Sequence, residues 1–236
     1  MIRRRSWLWL ALVVCGAFRC SVPSFGETIY TDGDFTNWTL VDASQPTFST
    51  TISRLTTGGN PAACLELITH SGTTGLAHGF AMNDDAVWSP TTSGAIDSVQ
   101  LSIDVRSISG WGFGHQFKVA VEQDGKYYVA PTSASHTGSA TTWHTIGLGP
   151  YSSDSFGRFV AWNDLDATQH PGFSAGGSPI KFGFEVGNHS SRDYTQRYDN
   201  WSLLVNAVPE PSVLAMLASG ALVLGCVALA RWRRRK

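Results

Sequence analysis

The sequence predicts an all-β exported domain, an antiparallel β-sandwich of the jelly-roll type, followed by one C-terminal transmembrane helix. Two observations in the middle of the chain lead to the sandwich. Several short segments alternate apolar and polar residues with a period of two, and turns rich in Gly, Ser and Thr separate them. A third observation, an uncharged apolar run near the carboxyl end, predicts the helix.

Four segments alternate most clearly, and each predicts a strand with one face in the core and the other in water. They lie at residues 99–105, 117–121, 180–186 and 201–205. Weaker candidate strands are residues 47–54, 62–68, 126–130 and 142–148. Asp124-Gly125 predicts a hairpin, because Asp and Gly readily adopt positive φ. No 12-residue stretch between the two ends has a clear helical period.

Residues 1–26 have the organisation of a secretory signal peptide. Met1–Arg5 is basic, and Trp7–Phe18 is an uncharged apolar run of 12 residues. At about 1.5 Å per helical residue, this run is too short to cross a bilayer core of about 30 Å. Ser24-Phe25-Gly26 is a plausible cleavage site. The sequence therefore predicts export, with an uncleaved anchor as the alternative.

Residues 212–230 form an apolar run of 19 residues without a charge. As a helix of about 28 Å, this run is long enough to cross the hydrocarbon core. Five basic residues crowd the last six positions, 231–236, and such a cluster stays in the cytoplasm by the positive-inside rule. Residues 27–207 are therefore expected to form a domain outside the membrane.

Pro209, Glu210 and Pro211 stand directly before the apolar run. The two prolines fix φ, so this segment is expected to be extended and separate from the helix. The order of Pro-Glu-Pro, apolar span and arginine cluster, residues 208–236, resembles the PEP-CTERM sorting signal of Gram-negative and related bacteria. The resemblance implies that a membrane transpeptidase, the exosortase, recognises Pro209, Glu210 and Pro211 and removes the tail. The alternative is a plain single-pass anchor.

Charge and cysteine content restrict the partners of the exported part. Residues 27–208 carry eight Lys and Arg against 17 Asp and Glu, a net charge of −9. Nucleic-acid binding needs clustered Lys and Arg, so a nucleic-acid partner is excluded. Cys64 is the single cysteine of this part, so an internal disulfide cannot form despite the oxidising location.

Two short motifs near the ends of the exported domain resemble jelly-roll modules of the carbohydrate-binding type. They are Asp32-Gly33-Asp34-Phe35 through Trp38, and Tyr198-Asp199-Asn200-Trp201. The resemblance implies that the first and last strands are neighbours. Some such modules hold a structural calcium there, to which Asp32, Asp34 and Asp199 could contribute oxygen ligands. The alternative, favoured by the turn-like sequence, is that these carboxylates make turn and cross-strand hydrogen bonds.

No catalytic residue is predicted. The chain has no HExxH spacing, no zinc-type Cys–His cluster and no G-x-S-x-G elbow. Two carboxylate pairs, Asp84-Asp85 and Asp164 with Asp166, could serve glycoside hydrolysis in principle. Both pairs lie in turn-like sequence, where a solvated Asp is the rule. The domain is therefore expected to be non-catalytic, with a secreted polysaccharide-active hydrolase or lyase on the same scaffold as the alternative.

A glycine-rich segment, residues 110–114, carries two aromatic side chains, Trp111 and Phe113. A flat ring with a polar rim suits stacking on the face of a sugar. Trp111 and Phe113 are therefore the candidate carbohydrate contacts. The alternative is that one of the two rings covers an open end of the sandwich.

The sequence as a whole predicts an exported bacterial protein, anchored in the inner membrane as an intermediate and then sorted to the envelope surface or extracellular matrix. An exosortase-type transpeptidase, the membrane and a polysaccharide are the expected partners. The β-sandwich is expected to serve structural display or carbohydrate binding, without a cofactor.

Overall fold

A computed structural model describes residues 26–45, 48–70, 77–109, 115–134, 142–161, 164–188 and 193–208. These residues belong to one compact unit, Gly26–Val208. The predicted signal peptide up to residue 25 and the predicted sorting signal from residue 209 onward lie outside the described residues. Within the described residues, no helix is long and apolar enough to cross a membrane.

The described residues form thirteen strands, and every pairing between them is antiparallel. The strands are β1 Thr28–Asp32, β2 Trp38–Asp42, β3 Ser49–Leu55, β4 Cys64–His70, β5 Ala77–Trp88, β6 Ile96–Ser109, β7 His115–Gln123, β8 Lys126–Val129, β9 His144–Tyr151, β10 Gly157–Ala161, β11 Asp164–Asp166, β12 Ile180–Asn188 and β13 Tyr194–Ala207. One four-residue helix, α1 Pro90–Ser93, and one 3₁₀ turn, Ser153–Ser155, complete the regular structure.

Sheet A has the strand order β3-β4-β13-β6-β9, and β1 also pairs with β13. The first strand lies beside the last, with Thr28 opposite Val205 and Asp32 opposite Trp201. The expectation that the two ends of the domain meet is therefore confirmed. Sheet B has the order β11-β10-β8-β7-β12-β5-β2.

The main core lies between the two sheets, as the alternating strands predict. Trp201 of β13 lies at its centre and meets Trp38 of β2 edge to face, at 5.2 Å between ring centroids. Tyr198 of β13 packs on Phe184 of β12, at 5.0 Å. Aromatic side chains from both sheets thus interlock, and the predicted antiparallel, jelly-roll-like sandwich is confirmed.

All four strong strand predictions lie within β6, β7, β12 and β13, and the four weaker ones overlap β3, β4, β8 and β9. The predicted hairpin joins β7 to β8, with Asp124 and Gly125 at φ of 53° and 69°. One expectation was wrong. The second face of β12 is not in water, because Gly183, Glu185 and Gly187 are buried on the side of sheet B that points away from sheet A.

Candidate functional site

The face of sheet B that points away from sheet A carries a second, smaller hydrophobic cluster, called the outer cluster below. Its buried members are Phe80, Met82, Ala120 and Val129, and its partly buried members are Val41, Ala43, Tyr127, Phe159 and Leu165. These residues come from strands across the whole width of the sheet, from β2 to β11. An apolar face of this kind on the outside of a sandwich is unusual, because the outward positions of antiparallel strands are ordinarily polar.

Rings from distant strands meet in the outer cluster. Phe80 of β5 stacks on Tyr127 of β8 with 4.4 Å between centroids and an interplanar angle of 16°. Phe159 of β10 meets Phe80 edge to face at 5.1 Å. In the row between those of Phe80 and Tyr127, which runs from Met82 of β5 to Val129 of β8, the two intervening strands carry only Gly183 and Ala120. A larger residue does not fit there, since a Cβ on Gly183 would lie 2.0 Å from the Ala81 carbonyl oxygen.

Tyr127 is held flat at the edge of the outer cluster. One ring face rests on Phe80, the residue is partly exposed, and no other described ring contacts it. Among the described residues its hydroxyl has no hydrogen-bond partner. Burial, and then the neighbouring Glu122 carboxylate, raise the pKa of Tyr127, so the hydroxyl keeps its proton as a donor.

A charged group borders Tyr127 on the same face. The ammonium of Lys181 lies 2.7 Å from Asp84 and 3.5 Å from Glu122. Glu122 is the register partner of both Tyr127 and Lys181. The hydrogen bond to Asp84 raises the pKa of Lys181. Burial alone would raise the pKa of Asp84, but hydrogen bonds from Lys181 and Thr39 outweigh it and lower that pKa. The Lys181–Asp84 pair is therefore ionised at neutral pH.

A buried acid–imidazole pair lies deeper in the same face. His78 Nδ1 and Glu185 Oε1 are hydrogen-bonded, and both side chains are almost completely buried. Glu185 is the register partner of Phe80, so the pair adjoins the ring stack directly.

The predicted carbohydrate contacts and sorting residues are not tested by this geometry. Trp111 and Phe113 lie outside the described residues, in the connection from Ser109 of sheet A to His115 of sheet B. Pro209, Glu210 and Pro211 also lie outside them.

The carboxylates considered for calcium make hydrogen bonds. Asp32 accepts the backbone N–H groups of Asp34 and Phe35, each at 2.8 Å, and the indole N–H of Trp38. Asp199 accepts the backbone N–H groups of Asn60 and Asn200. In the part of the chain that the structure describes, no three His, Cys, Asp or Glu side chains are grouped to hold a metal ion. The hydrogen-bond interpretation therefore accounts for Asp32.

Asp34 also makes hydrogen bonds of this kind: its Oδ1 accepts from the backbone N–H and from the hydroxyl of Thr36.

The carboxylates considered for catalysis also form hydrogen bonds or ion pairs. Asp84 binds Lys181, and Asp85 accepts from the amide of Asn37 at 2.8 Å. Asp166 accepts from Thr168 and Gln169 within its own turn.

Sequence reasoning missed Tyr127, His78 and Glu185 as site residues. Tyr127 follows the predicted hairpin turn, so its place on an outward strand position could have been inferred. Glu185 stands between Gly183 and Gly187, and this Gly-x-Glu-x-Gly spacing was a usable signal of close packing against a neighbouring strand. Nothing local indicated His78, because its partner lies 107 residues away.

Comparison with known proteins gives structural likeness only. No family model and no curated protein matches the chain. A family 11 carbohydrate-binding module of a Clostridium thermocellum cellulosomal cellulase is similar at 17% identity and a TM-score of 0.46, over 78% of this chain and 96% of that one. The CBM22-1 xylan-binding domain of Paenibacillus barcinonensis Xyn10C is similar at 11% identity and a TM-score of 0.40, over 78% and 97%.

Proposed function

We propose that this protein is exported to the cell envelope or its matrix and that its β-sandwich binds polysaccharide, without catalysis, on the outer face of sheet B. The observation that carries the proposal is Tyr127. Its ring lies flat on Phe80 at 4.4 Å, so the orientation of its second face is fixed before any ligand arrives.

The surroundings of Tyr127 suit a sugar. The C–H face of a pyranose is apolar and stacks on aromatic rings, while its hydroxyl groups need directional donors and acceptors at the edge. Lys181 offers donors, and Glu122 and Asp84 offer acceptors; salt bridges hold all three in place. Fixed charged groups of this kind lose little freedom when they bind a ligand.

The test is affinity electrophoresis of the protein in gels containing neutral or acidic polysaccharides, with calcium and then with a chelator. Retardation that Tyr127→Ala abolishes and Tyr127→Phe retains supports a stacking platform. Trp143→Ala is the matched control, because Trp143 is a partly exposed ring directly before β9 of sheet A, and Arg106 lies over it at 4.9 Å. Equal retardation of Tyr127→Ala and wild type contradicts the proposed site.

Trp111 and Phe113 remain a second proposed contact. Their segment connects the two sheets at the end of the sandwich where β6 stops and β7 starts. Loss of retardation in Trp111→Ala and Phe113→Ala, with Tyr127→Ala unaffected, would assign binding to that segment instead of to the outer face of sheet B.

The sorting step is proposed from the order of the residues alone. Pro209, Glu210 and Pro211 precede an uncharged run of 19 residues and a basic end. We expect exosortase-type processing near residue 211, and replacement of both prolines by Ala should stop it. Intact-mass measurement of protein recovered from the cell surface tests this expectation. A full-length tail in the surface protein contradicts processing and leaves a plain membrane anchor.

A polysaccharide-active enzyme is the weaker proposal. The candidate acids Asp84, Asp85 and Asp166 are each bound to a neighbouring donor. Hydrolysis needs one protonated and one ionised carboxyl group, and the lowered pKa values of Asp84 and Asp166 do not provide the protonated acid.

A further inference from the structure

The carboxylate of Glu122 lies beside the Tyr127 ring. The two residues are register partners on the paired strands β7 and β8. Directly opposed side chains on one face of an antiparallel pair have Cβ atoms about 4.5–5.5 Å apart. The charge of Glu122 reaches the phenol, because it adds to the effect of burial in raising the pKa of Tyr127. A ligand that stacks on the open face of Tyr127 therefore meets this carboxylate at the edge of the ring.

Lys181 neutralises Asp84 more closely than it neutralises Glu122. Its ammonium lies 2.7 Å from Asp84 Oδ1 but 3.5 Å from Glu122 Oε2. The hydrogen bond to Asp84 is also the largest cause of the raised pKa of Lys181. One ammonium and two carboxylates leave this group with a net charge of −1. The Glu122 side chain is 25% exposed, so its share of the negative charge is accessible to a ligand.

The other basic side chains on the described strands of sheet B lie away from the Tyr127 ring. They are Lys118, Lys126 and Arg158. Lys118 is on the same face, but it lies four residues from Glu122 along β7, about 13 Å, where solvent ions screen its charge. Lys126 and Arg158 occupy strand positions that alternate with that of Tyr127, so their side chains point to the other face. Glu122 therefore sets the sign of the charge beside the ring.

The charge of the whole exported part has the same sign. Residues 27–208 carry a net charge of −9, which attracts cationic polymers and repels acidic ones. An acidic sugar stacked on Tyr127 would also place its own carboxylate close to that of Glu122, and two like charges at short range repel each other. Both the local and the overall charge therefore act against polysaccharides of uronic acids.

A sugar with a free amine fits the same group of residues. Its C–H face is apolar and stacks on an aromatic ring like that of any pyranose, while its protonated amine carries a positive charge at the edge of the sugar ring. This ammonium gains from the Glu122 carboxylate through a charge-assisted hydrogen bond. It gains a second time from the electron-rich ring of Tyr127. An uncharged sugar obtains neither of these two contributions.

We propose that the Tyr127 ring and the Glu122 carboxylate select polysaccharides whose sugars carry a free, protonated amine, and that Glu122 is the specificity-determining residue. This inference rests on the proposed function, since it names the substrate class of the same site. It ranks amino-sugar polymers above neutral polymers, and neutral polymers above acidic ones.

The test is calorimetric titration of the full-length protein in detergent with three β-1,4-linked pentasaccharides, made of glucosamine, glucose or glucuronic acid. The three share ring and linkage and differ in charge. Wild type should bind the glucosamine pentasaccharide about tenfold more tightly than the glucose one, from a partly exposed ion pair and a cation–ring contact together. The glucuronic acid pentasaccharide should bind most weakly. The preference for glucosamine should shrink as salt is raised.

Three variants separate Glu122 from the overall charge. Glu122→Gln should reduce the preference to about threefold, because only the cation–ring contact remains. Asp97→Asn is the matched control: it makes the same change in net charge at an exposed position of β6 in sheet A, and it should leave the preference unchanged. Lys181→Gln should raise the preference above that of wild type, because it removes the cation between the two carboxylates. If Glu122→Gln fails to fold, this opposite shift decides.

The outcomes distinguish the substrate class from the binding function. If the glucose or the glucuronic acid pentasaccharide binds as tightly as the glucosamine one, the preference is overturned and the binding function stands. An equal loss of preference in Asp97→Asn and Glu122→Gln also overturns it, because overall charge then explains the result. If no pentasaccharide binds, the preference is overturned, and retardation by another polysaccharide that requires Tyr127 still supports the binding function. Without such retardation, the binding function fails as well.

Discussion

The outward faces of the two sheets are built in opposite ways. On sheet A the outward face includes charged groups: Arg197 pairs with Glu66 at 2.8 Å, and Arg106 lies over Trp143. On sheet B the outward face carries the outer cluster, with Phe80 and Met82 almost inaccessible.

Sheet A is covered in part by a loop of polar backbone. The segment between β3 and β4 binds the sheet through its main chain: Arg106 donates to the Gly58 carbonyl oxygen at 3.1 Å, and the Asn60 N–H donates to Asp199. Among the described residues, the outer cluster on sheet B includes Phe159 and Leu165 from β10 and β11 at one edge of the sheet and Val41 from β2 at the other edge.

Phe80→Ala should produce the largest effect and tests whether the outer cluster is a true second core. Loss of the ring removes contacts with Tyr127 and Phe159 and leaves a cavity, so the free energy of unfolding should fall by about 3–5 kcal/mol. Urea denaturation measures it. Ile29→Ala on the outward face of sheet A is the control, since Ile29 is 60% exposed. An equal, small effect of both variants would show that the two faces do not differ.

Gly183→Ala probes the close approach of β12 to β5. The new Cβ would lie 2.0 Å from the Ala81 carbonyl oxygen and 2.8 Å from Met82 Sδ, and backbone cannot move aside cheaply. Overpacking of this kind should cost about 1–3 kcal/mol. Thermal unfolding measures the change, with Gly176→Ala as the control because nothing lies within 4 Å of its Cβ. A neutral Gly183→Ala would contradict the packing described for Gly183.

Glu66→Gln on sheet A should have a smaller effect. The Arg197–Glu66 pair is partly exposed, with side chains 22% and 17% accessible, so solvent screens much of its attraction. A loss of about 1 kcal/mol is expected. The loss should shrink as salt is raised from low to molar concentration. A loss as large as that of Phe80→Ala would mean that sheet A depends on its ion pairs.

Asp199 on sheet A and Asp84 on sheet B should make the stability change with pH in opposite directions. This is the smallest of the expected effects. Burial raises the pKa of Asp199 on sheet A, and the Asp104 charge adds to this. Its stabilising contribution is therefore complete below the unfolded value of about 3.9 and is lost as pH rises through the folded value. The pKa of Asp84 on sheet B is lowered, so its contribution is present above about 3.9 and is lost as pH falls.

Urea denaturation midpoints measured between about pH 2.5 and 7 show how stability changes with pH on either side of the unfolded carboxyl pKa of about 3.9. Asp199→Asn should remove the stability loss with rising pH, and Asp84→Asn should remove the loss with falling pH. Equal slopes in wild type and both variants would show that neither carboxylate is linked to folding.

The sequence predicted strands in which large apolar residues alternate with polar residues or glycines, and β12 is one of them although both of its faces are buried. β6 and β13 alternate clearly, and their positions were predicted. β5 was missed because Ala77–Asn83 has apolar residues on both faces of the strand, so no period of two appears in the sequence. β10 and β11 are short strands at the edge of sheet B, and they pair through contacts that no local pattern encodes.

The candidate site was harder to predict than the fold, for a similar reason. Tyr127, Phe80 and Glu185 come from three strands, and only the register of β5, β12, β7 and β8 brings them together. Residue type led to the prediction of Trp111 and Phe113, where aromatics alternate with glycines, and these two residues lie outside the described part of the chain. Residue type gave no signal for His78, whose hydrogen-bond partner is a carboxylate from another strand.

The position of β13 has a mechanical consequence. Tension applied to the chain beyond Val208 enters the domain through this strand, which is not at an edge. One side of β13 is bonded to β6, and the other is bonded to β4 at residues 194–198 and to β1 at residues 201–205. A pull along the strand loads both rows of hydrogen bonds in shear, so they must rupture together rather than unzip singly. A pull on the chain beyond Val208 would therefore act on a strand that is hydrogen-bonded along both of its sides.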